Sequence, residues 1–260
     1  MENAKDSIRG PLTDEQVESF RREGFVIVPG LFSANQIAKI STWSDEVHDW
    51  PELPGKYMMY FEHTEDNPPK RLLNRIEDVL PYHEEFRKLA ISELMQGACG
   101  QLFGEPATLF KDKINYKLPG GGGFASHQDV QAGWSRYAEL HITALITIDR
   151  TTIENGCLEM CGGCHNMGLL GEEWTPLDDQ GLGGVNYVAV ESEPGDAVFF
   201  DSFTPHRSEP NRTDDPRRVL YYTYNKVSAG DHLRQYYDDK RASYPPDIDR
   251  QDDKEYVYRV

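Results

Sequence analysis

The pattern of apolar positions changes character near residue 105, and that change predicts the layout of the fold. Before it, apolar residues recur mostly at helical spacing. Thr13-Asp14-Glu15-Gln16 has the form of a capping box, in which a hydroxyl and an amide each satisfy an orphan backbone donor. It predicts a helix running to about Gly24, a residue suited to a C-terminal cap. Phe25-Val-Ile-Val28 then reads as a strand. Ser33-Ala34-Asn35-Gln36 is a second capping box, and its helix carries the stripe Ile37, Ile40, Trp43 and Val47. Residues 51–82, rich in proline and aromatics, are expected to hold a strand and loops able to flank a pocket. A further helix is expected from about His83 to Cys99, with Phe86, Leu89 and Leu94 facing inward.

From Ala107 onward, short β-rich runs are separated by turn residues at fairly regular intervals. They are 108–116, 140–148, 157–160, 185–190, 197–200 and 219–224. Helices first and then many short strands with no helix between them predict a mainly β protein with flanking helices (α+β). The antiparallel double sheet of a cupin-like jelly roll, or double-stranded β-helix, is the expected architecture. We expect one domain over 1–260. It comprises a helical N-terminal elaboration with the first strands (11–104), the β-helix core (105–227) and a C-terminal extension (228–260). The charged, proline-bearing tail from about Asp238 reads as a surface wrap or a mobile end.

Charge narrows the partners. The chain carries 44 acidic against 27 basic residues, a formal net charge of −17. A field of that sign repels phosphate backbones and anionic membranes, so a small molecule is the expected partner and nucleic acid is not. It tolerates a cationic substrate. The opening residues lack an apolar h-region and no apolar run is long enough to span a bilayer, so a cytoplasmic address is expected. Four cysteines are too few for a disulfide scaffold, and free thiols in a reducing interior are the default expectation.

Candidate chemistry rests on the histidines. Three of the eight begin a His-x-acid triplet, at His63, His83 and His127. Residues i and i+2 share a face only when extended, which disfavours the pair at the start of the helix near His83. His63 lies before a loop with no later partner. His127-Gln128-Asp129 follows a β-run and Gly120–Gly123, and it is answered downstream by His206. Two histidines and a carboxylate form a facial triad that holds Fe(II) and leaves positions open for a co-substrate and dioxygen. Arg217, eleven residues past His206, can take the distal carboxylate of a dicarboxylate as a bidentate pair.

His127-Gln-Asp129, Asn155-Gly-Cys-Leu158 and His206-x-Ser208-x-x-Asn211 with Arg217 together resemble the phytanoyl-CoA dioxygenase family. So does the opening Leu12-Thr-Asp-Glu-Gln-x-x-x-Phe-x-x-x-Gly-Phe25. The resemblance runs over about residues 11–227 in the family's order. It implies an Fe(II)- and 2-oxoglutarate-dependent oxygenase that also consumes O2. Carried over by position, His127, Asp129 and His206 would hold iron, and Arg217 with Ser208 would bind 2-oxoglutarate. Arg218 would exchange with Arg217 if the strand shifted by one residue. Lys113-Ile-Asn115-Tyr-Lys117 resembles a segment of the related ectoine hydroxylases, which makes Asn115 a co-substrate candidate. Lys113 shares its face, and Gln128, between two ligands, is placed in the same group.

Trp134 and Tyr137 directly follow the ligand segment and are candidate substrate contacts, able to box an amine by cation–π attraction. Residues 167–186, with Gly168, Gly171, Gly181, Gly183 and Gly184, read as a mobile lid. Cys161-Gly-Gly-Cys164-His165 has the form of a c-type haem attachment motif, which would require export that nothing in the chain signals. Within the family, His-Gln-Asp-x-Gln-Ala-Gly-Trp looks most like members acting on 2-aminoethylphosphonate, and a natural-product intermediate is the rival substrate. Two other readings stand beside the hydroxylase: a non-catalytic jelly-roll binding protein, and a metal cupin that does not use 2-oxoglutarate.

Overall fold

The computed structural model describes residues 9–178 and 186–256. Helix α1 (Asp14–Glu23) is bracketed as its caps require. Thr13 and Gln16 satisfy each other's backbone donors, and Gly24 turns left-handed at φ 80°. Strand β1 (Phe25–Val28) leads to α2 (Ala34–His48), whose Ile37, Ile40 and Val47 are buried.

Residues 51–82 hold two strands where one was expected. β2 (Met58–His63) and β3 (Arg71–Glu77) form an antiparallel hairpin. The helix expected over 83–99 is likewise two, α3 (Glu84–Ala90) and α4 (Glu93–Phe103). The first is capped at its C-terminus by Ile91, and Ser92 caps the second, since its hydroxyl accepts from Met95 N–H at 3.3 Å. An unbroken apolar stripe across the junction hid that break.

The remaining strands are β4 (Ala107–Lys117), β5 (Phe124–His127), β6 (His141–Thr147), β7 (Leu158–Met160), β8 (Val188–Val190), β9 (Ala197–Asp201), β10 (His206–Ser208) and β11 (Arg217–Lys226). They form two antiparallel sheets, the jelly roll expected from the sequence. One sheet has the order β1-β9-β6-β11-β4-β3-β2, and the other β5-β10-β7-β8. The early strands β1, β2 and β3 thus extend the larger sheet.

Alternation along the central strands sorts side chains into two cores. Ile114, Tyr116, Ile142, Ile146, Leu220 and Tyr222 face the helices, whereas Leu145, Val219 and Tyr221 face the smaller sheet. A strand buried on both faces reads as a continuous apolar run, as β6 does. Hydroxyls tie the helices to the sheet. Tyr222 donates to Phe86 O at 2.9 Å and Tyr224 to Ala90 O at 2.7 Å, satisfying carbonyls within α3 and at its end.

The charged tail begins within a helix, α5 (Leu233–Ser243), with Tyr236 and Tyr237 buried beside β4. The Tyr237 hydroxyl donates to Asp112 O at 2.7 Å and receives Asp112 N–H at 3.0 Å. Of the two readings of the tail, these buried aromatics and the backbone anchor favour the wrap over the mobile end. Among the described residues, no helix is long and apolar enough to cross a membrane.

Candidate metal centre and active-site cavity

His127 ends β5 and His206 begins β10, and the two strands pair so that these residues stand opposite each other. Asp129 opens a short 3-10 turn immediately after β5. One ligand atom from each of the three lies within 4.8 Å of the others. Asp129 Oδ1 is 3.9 Å from His127 Nε2 and 3.8 Å from His206 Nε2.

The surroundings set the state of each group. His127 Nδ1 is 2.7 Å from Ala125 O, and His206 Nδ1 is 3.0 Å from Thr204 O. A ring nitrogen beside a carbonyl carries the hydrogen, so both Nε2 lone pairs are left to face the centre. Burial, and then His206, push His127 down to about 3, so its imidazole is neutral. Burial alone would raise Asp129, but His206, His127 and Lys113 together hold its carboxyl below the usual range. Its second oxygen accepts from the Thr143 hydroxyl at 3.2 Å, and Thr143 in turn meets Thr223 Oγ1 at 2.9 Å. Two imidazoles with Nε2 turned to the centre and one oriented carboxylate make a donor set that suits a divalent metal.

A cavity of about 410 Å³ opens over this cluster, within the size range of small-molecule sites. Arg217 lies in its wall at 1% exposure, and its Nε and Nη1 have no hydrogen-bond partner among the described residues. Asn115 Oδ1, also in the wall, is likewise unpartnered. Burial lowers the Arg217 pKa from its ordinary value. A guanidinium left without an anion inside a protein carries a large desolvation cost that an incoming carboxylate offsets. Arg218 points to the opposite face, where it pairs with Asp149 at 2.8 Å and reaches Ser41 Oγ at 2.9 Å.

The other expected contacts divide. Ser208 lines the cavity and its Oγ accepts from Lys117 Nζ at 2.8 Å. Lys113 opens onto the cavity, where burial and then Lys111 bring it down to about 7. Trp134 and Tyr137 are both in the wall. Their rings already pack on Phe110, and Lys111 Nζ sits 5.6 Å from the Trp134 ring centroid. The Trp134 face of the expected amine box thus already holds a cation.

Gln128 does not belong to the co-substrate group. It is fully buried and outside the cavity lining, and its amide is spent on backbone. Nε2 donates to Gly168 O and Phe203 O at 2.8 and 2.6 Å, and Oε1 accepts from Leu170 N at 2.8 Å. The segment expected to be a mobile lid is held down by these bonds and by Gln131, which donates to Glu172 O and Thr175 O. Gly181, Gly183 and Gly184 lie outside the described residues.

Cys161 and Cys164, expected as thiols, are joined as a disulfide, while Cys99 and Cys157 are buried free cysteines. The Cys-x-x-Cys turn follows β7 and hydrogen-bonds to the β10 side, with Cys161 N–H donating to Pro205 O at 3.0 Å.

Sequence reasoning missed Arg75, Glu77, Lys111 and Lys240, all in the cavity wall. Lys111 continues the alternation of Lys113 and Asn115, so a signal for it existed. Arg75 and Glu77 sat in a stretch read as a strand and loops with no residue singled out, and Lys240 in a tail read as a surface wrap or a mobile end.

Two antiparallel sheets that bring a His-Asp-His cluster to one open cavity define a jelly-roll metalloenzyme. The chain belongs to the phytanoyl-CoA dioxygenase family, whose sequence profile matches residues 20–219. It is 38% identical over 245 residues to the 2-aminoethylphosphonate dioxygenase of an uncultured bacterium (HF130_AEPn_1), covering 94% of this chain and 93% of the other. With the methylphosphonate hydroxylase of Gimesia maris it shares 39% identity over 234 residues, 90% and 88% of the two chains. The crystal structure of EctD from S. alaskensis with 2-oxoglutarate and 5-hydroxyectoine superposes with a TM-score of 0.72 at 22% identity, over 88% of this chain and 79% of that one. The protein is an enzyme of the dioxygenase type.

Proposed function

We propose that the protein is an Fe(II)- and 2-oxoglutarate-dependent dioxygenase that hydroxylates a C–H bond of a small organophosphonate. The observation that carries the reading is Arg217. It is a buried guanidinium, its Nε and Nη1 without a hydrogen-bond partner among the described residues, in the wall of the cavity that holds the His-Asp-His cluster. A binding module has no need of both, and a metal cupin that works without a dicarboxylate has no need of Arg217.

In this reading His127, Asp129 and His206 hold the iron, facing it with two Nε2 atoms and Asp129 Oδ1. Iron in such a site supplies redox activation of dioxygen coupled to oxidative decarboxylation of the keto acid. Arg217 takes the distal carboxylate of 2-oxoglutarate, with the unpartnered Asn115 and the Ser208 hydroxyl beside it. Lys117 orients Ser208 through its hydrogen bond to Oγ. Thr143 fixes the carboxylate plane of Asp129. Trp134 and Tyr236, backed by the buried Phe110, form an apolar flank of the cavity that limits water near the reacting centre.

The substrate class draws on the phosphonate-acting relatives and on the cations in the wall, whose sign is opposite to that of the whole chain. A cavity of about 410 Å³ that also admits the co-substrate leaves room for a small substrate. The test is succinate release from 2-oxoglutarate by the Fe(II)-loaded protein under air, with a panel of phosphonates. We expect succinate and hydroxylated phosphonate in equal amounts with at least one of them. Absence of succinate release with Fe(II) present, with or without substrate, would overturn the oxygenase assignment.

A further inference from the structure

A second charge system lies in the cavity beyond the triad and Arg217. Glu77 is buried at 1% exposure and is met by three cations. Arg75 Nε stands at 2.8 Å, Lys111 Nζ at 3.5 Å, and the Lys240 ammonium reaches it from α5. Lys113 has no carboxylate partner among the described residues. Its ammonium lies 4.5 Å from the Tyr221 ring centroid, opens onto the cavity, and sits near enough to Asp129 to act on its charge. This second charge system thus sets four cations against one carboxylate that is already shared three ways.

Resting on the oxygenase reading above, we propose that Lys113, flanked by Lys111 and Arg75, seats the phosphonate group of the substrate. We further infer that the cavity favours a phosphonate carrying no ammonium group. Two observations support the selectivity. The buried Glu77 is committed to its three cations and the half-buried Asp129 to the triad. The remaining carboxylate of the wall, Asp239, is exposed and accepts from the Tyr137 hydroxyl at 2.7 Å. An ammonium a few ångströms from a phosphonate held at Lys113 would therefore meet like charges and no buried partner. The Trp134 face is taken as well, because Lys111 already occupies the cation position beside it.

The experiment is anaerobic calorimetric titration of the protein loaded with Fe(II) and 2-oxoglutarate. The probes are methylphosphonate, propylphosphonate and 2-aminoethylphosphonate, the last two nearly equal in shape. We expect propylphosphonate to bind about tenfold tighter than 2-aminoethylphosphonate, and Lys113→Met to weaken both alkylphosphonates by about tenfold or more. Lys113→Arg, which keeps the charge, is expected to restore most of that affinity and shows that the loss is not one of folding. Equal or tighter binding of 2-aminoethylphosphonate overturns the selectivity. Unchanged alkylphosphonate affinity in Lys113→Met overturns the seat, as does failure of all three phosphonates to bind the native protein. The oxygenase reading is judged apart from these outcomes, by the slow succinate release that needs no phosphonate.

Discussion

His206 stands opposite His127 across an antiparallel strand pair, with ring centroids 4.2 Å apart. Each Nδ1 faces the carbonyl two residues before it, so the same local bond is made twice, once from each strand. The pairing of β5 with β10 converts two distant sequence positions into neighbouring ligands. Loss of His127, Asp129 or His206 to alanine is expected to reduce 2-oxoglutarate turnover by more than about a hundredfold, beyond the cost of losing an outer partner. Metal content after anaerobic loading, with circular dichroism to verify folding, checks it. Native-like turnover in any one of the three variants counts against the site.

Thr143 tests whether the outer contacts matter. Its hydroxyl bridges Asp129 Oδ2 and Thr223 Oγ1. Thr143→Val keeps the shape and removes both bonds, so metal affinity is expected to fall about 10- to 100-fold. Anaerobic Co(II) titration followed by absorbance reads this directly, and an unchanged affinity rejects it.

Arg217 and Arg218 are adjacent but should fail differently. Arg217→Met is expected to raise the KM for 2-oxoglutarate about 30-fold or more, the equivalent of about 2 kcal/mol for a buried charge pair. Arg218→Ala removes the bidentate contact with Asp149 and the bonds to Ser41. It should lower unfolding stability by about 1–2 kcal/mol and leave that KM in place. Steady-state kinetics and denaturant titration of both variants decide, and exchanged phenotypes would reverse the assignment.

Gln128 has a structural part to play. Gln128→Leu strands the carbonyls of Gly168 and Phe203 and the amide of Leu170, with an expected loss of about 2–4 kcal/mol. Urea unfolding measures it. A variant of native stability but raised KM for 2-oxoglutarate would instead make Gln128 a co-substrate contact.

Asp112 gives the fold a pH dependence. Burial pushes its carboxyl up to about 7, although the Val79 N–H bond at 2.8 Å opposes the shift. The folded chain therefore retains a proton that the unfolded chain has released. This contribution falls as pH rises from about 4 to about 7 and is level above that. Asp112→Asn keeps the Val79 contact and can donate to the Tyr237 oxygen, while removing the titration. Relative to the native chain, the variant should gain on the order of 2 kcal/mol between pH 4.5 and 8. Parallel stability curves for the two proteins would refute this.

Local chemistry wrote much of the fold into the sequence. The capping boxes at Thr13 and Ser33, the left-handed stop at Gly24 and the strand runs from Ala107 to Tyr224 depend on neighbours a few residues away. The spacing His127-x-Asp129 with a distant His206 was legible for the same reason, because a metal demands particular donor types.

Only the tertiary structure decided which charges face the cavity. A strand has two faces, and pairing of β11 with β4 and β6 is what turns Arg217 inward and Arg218 outward. Gln128 lies between two ligands yet packs away from them, because it meets loop carbonyls from 40 and 75 residues downstream. Arg75 and Glu77 arrive on a hairpin, and Lys240 on a terminal helix, that pack beside β4 through long-range contacts. A carboxylate surrounded by three cations is a property of where chain segments meet. Periodicity along any one of them carries no record of it.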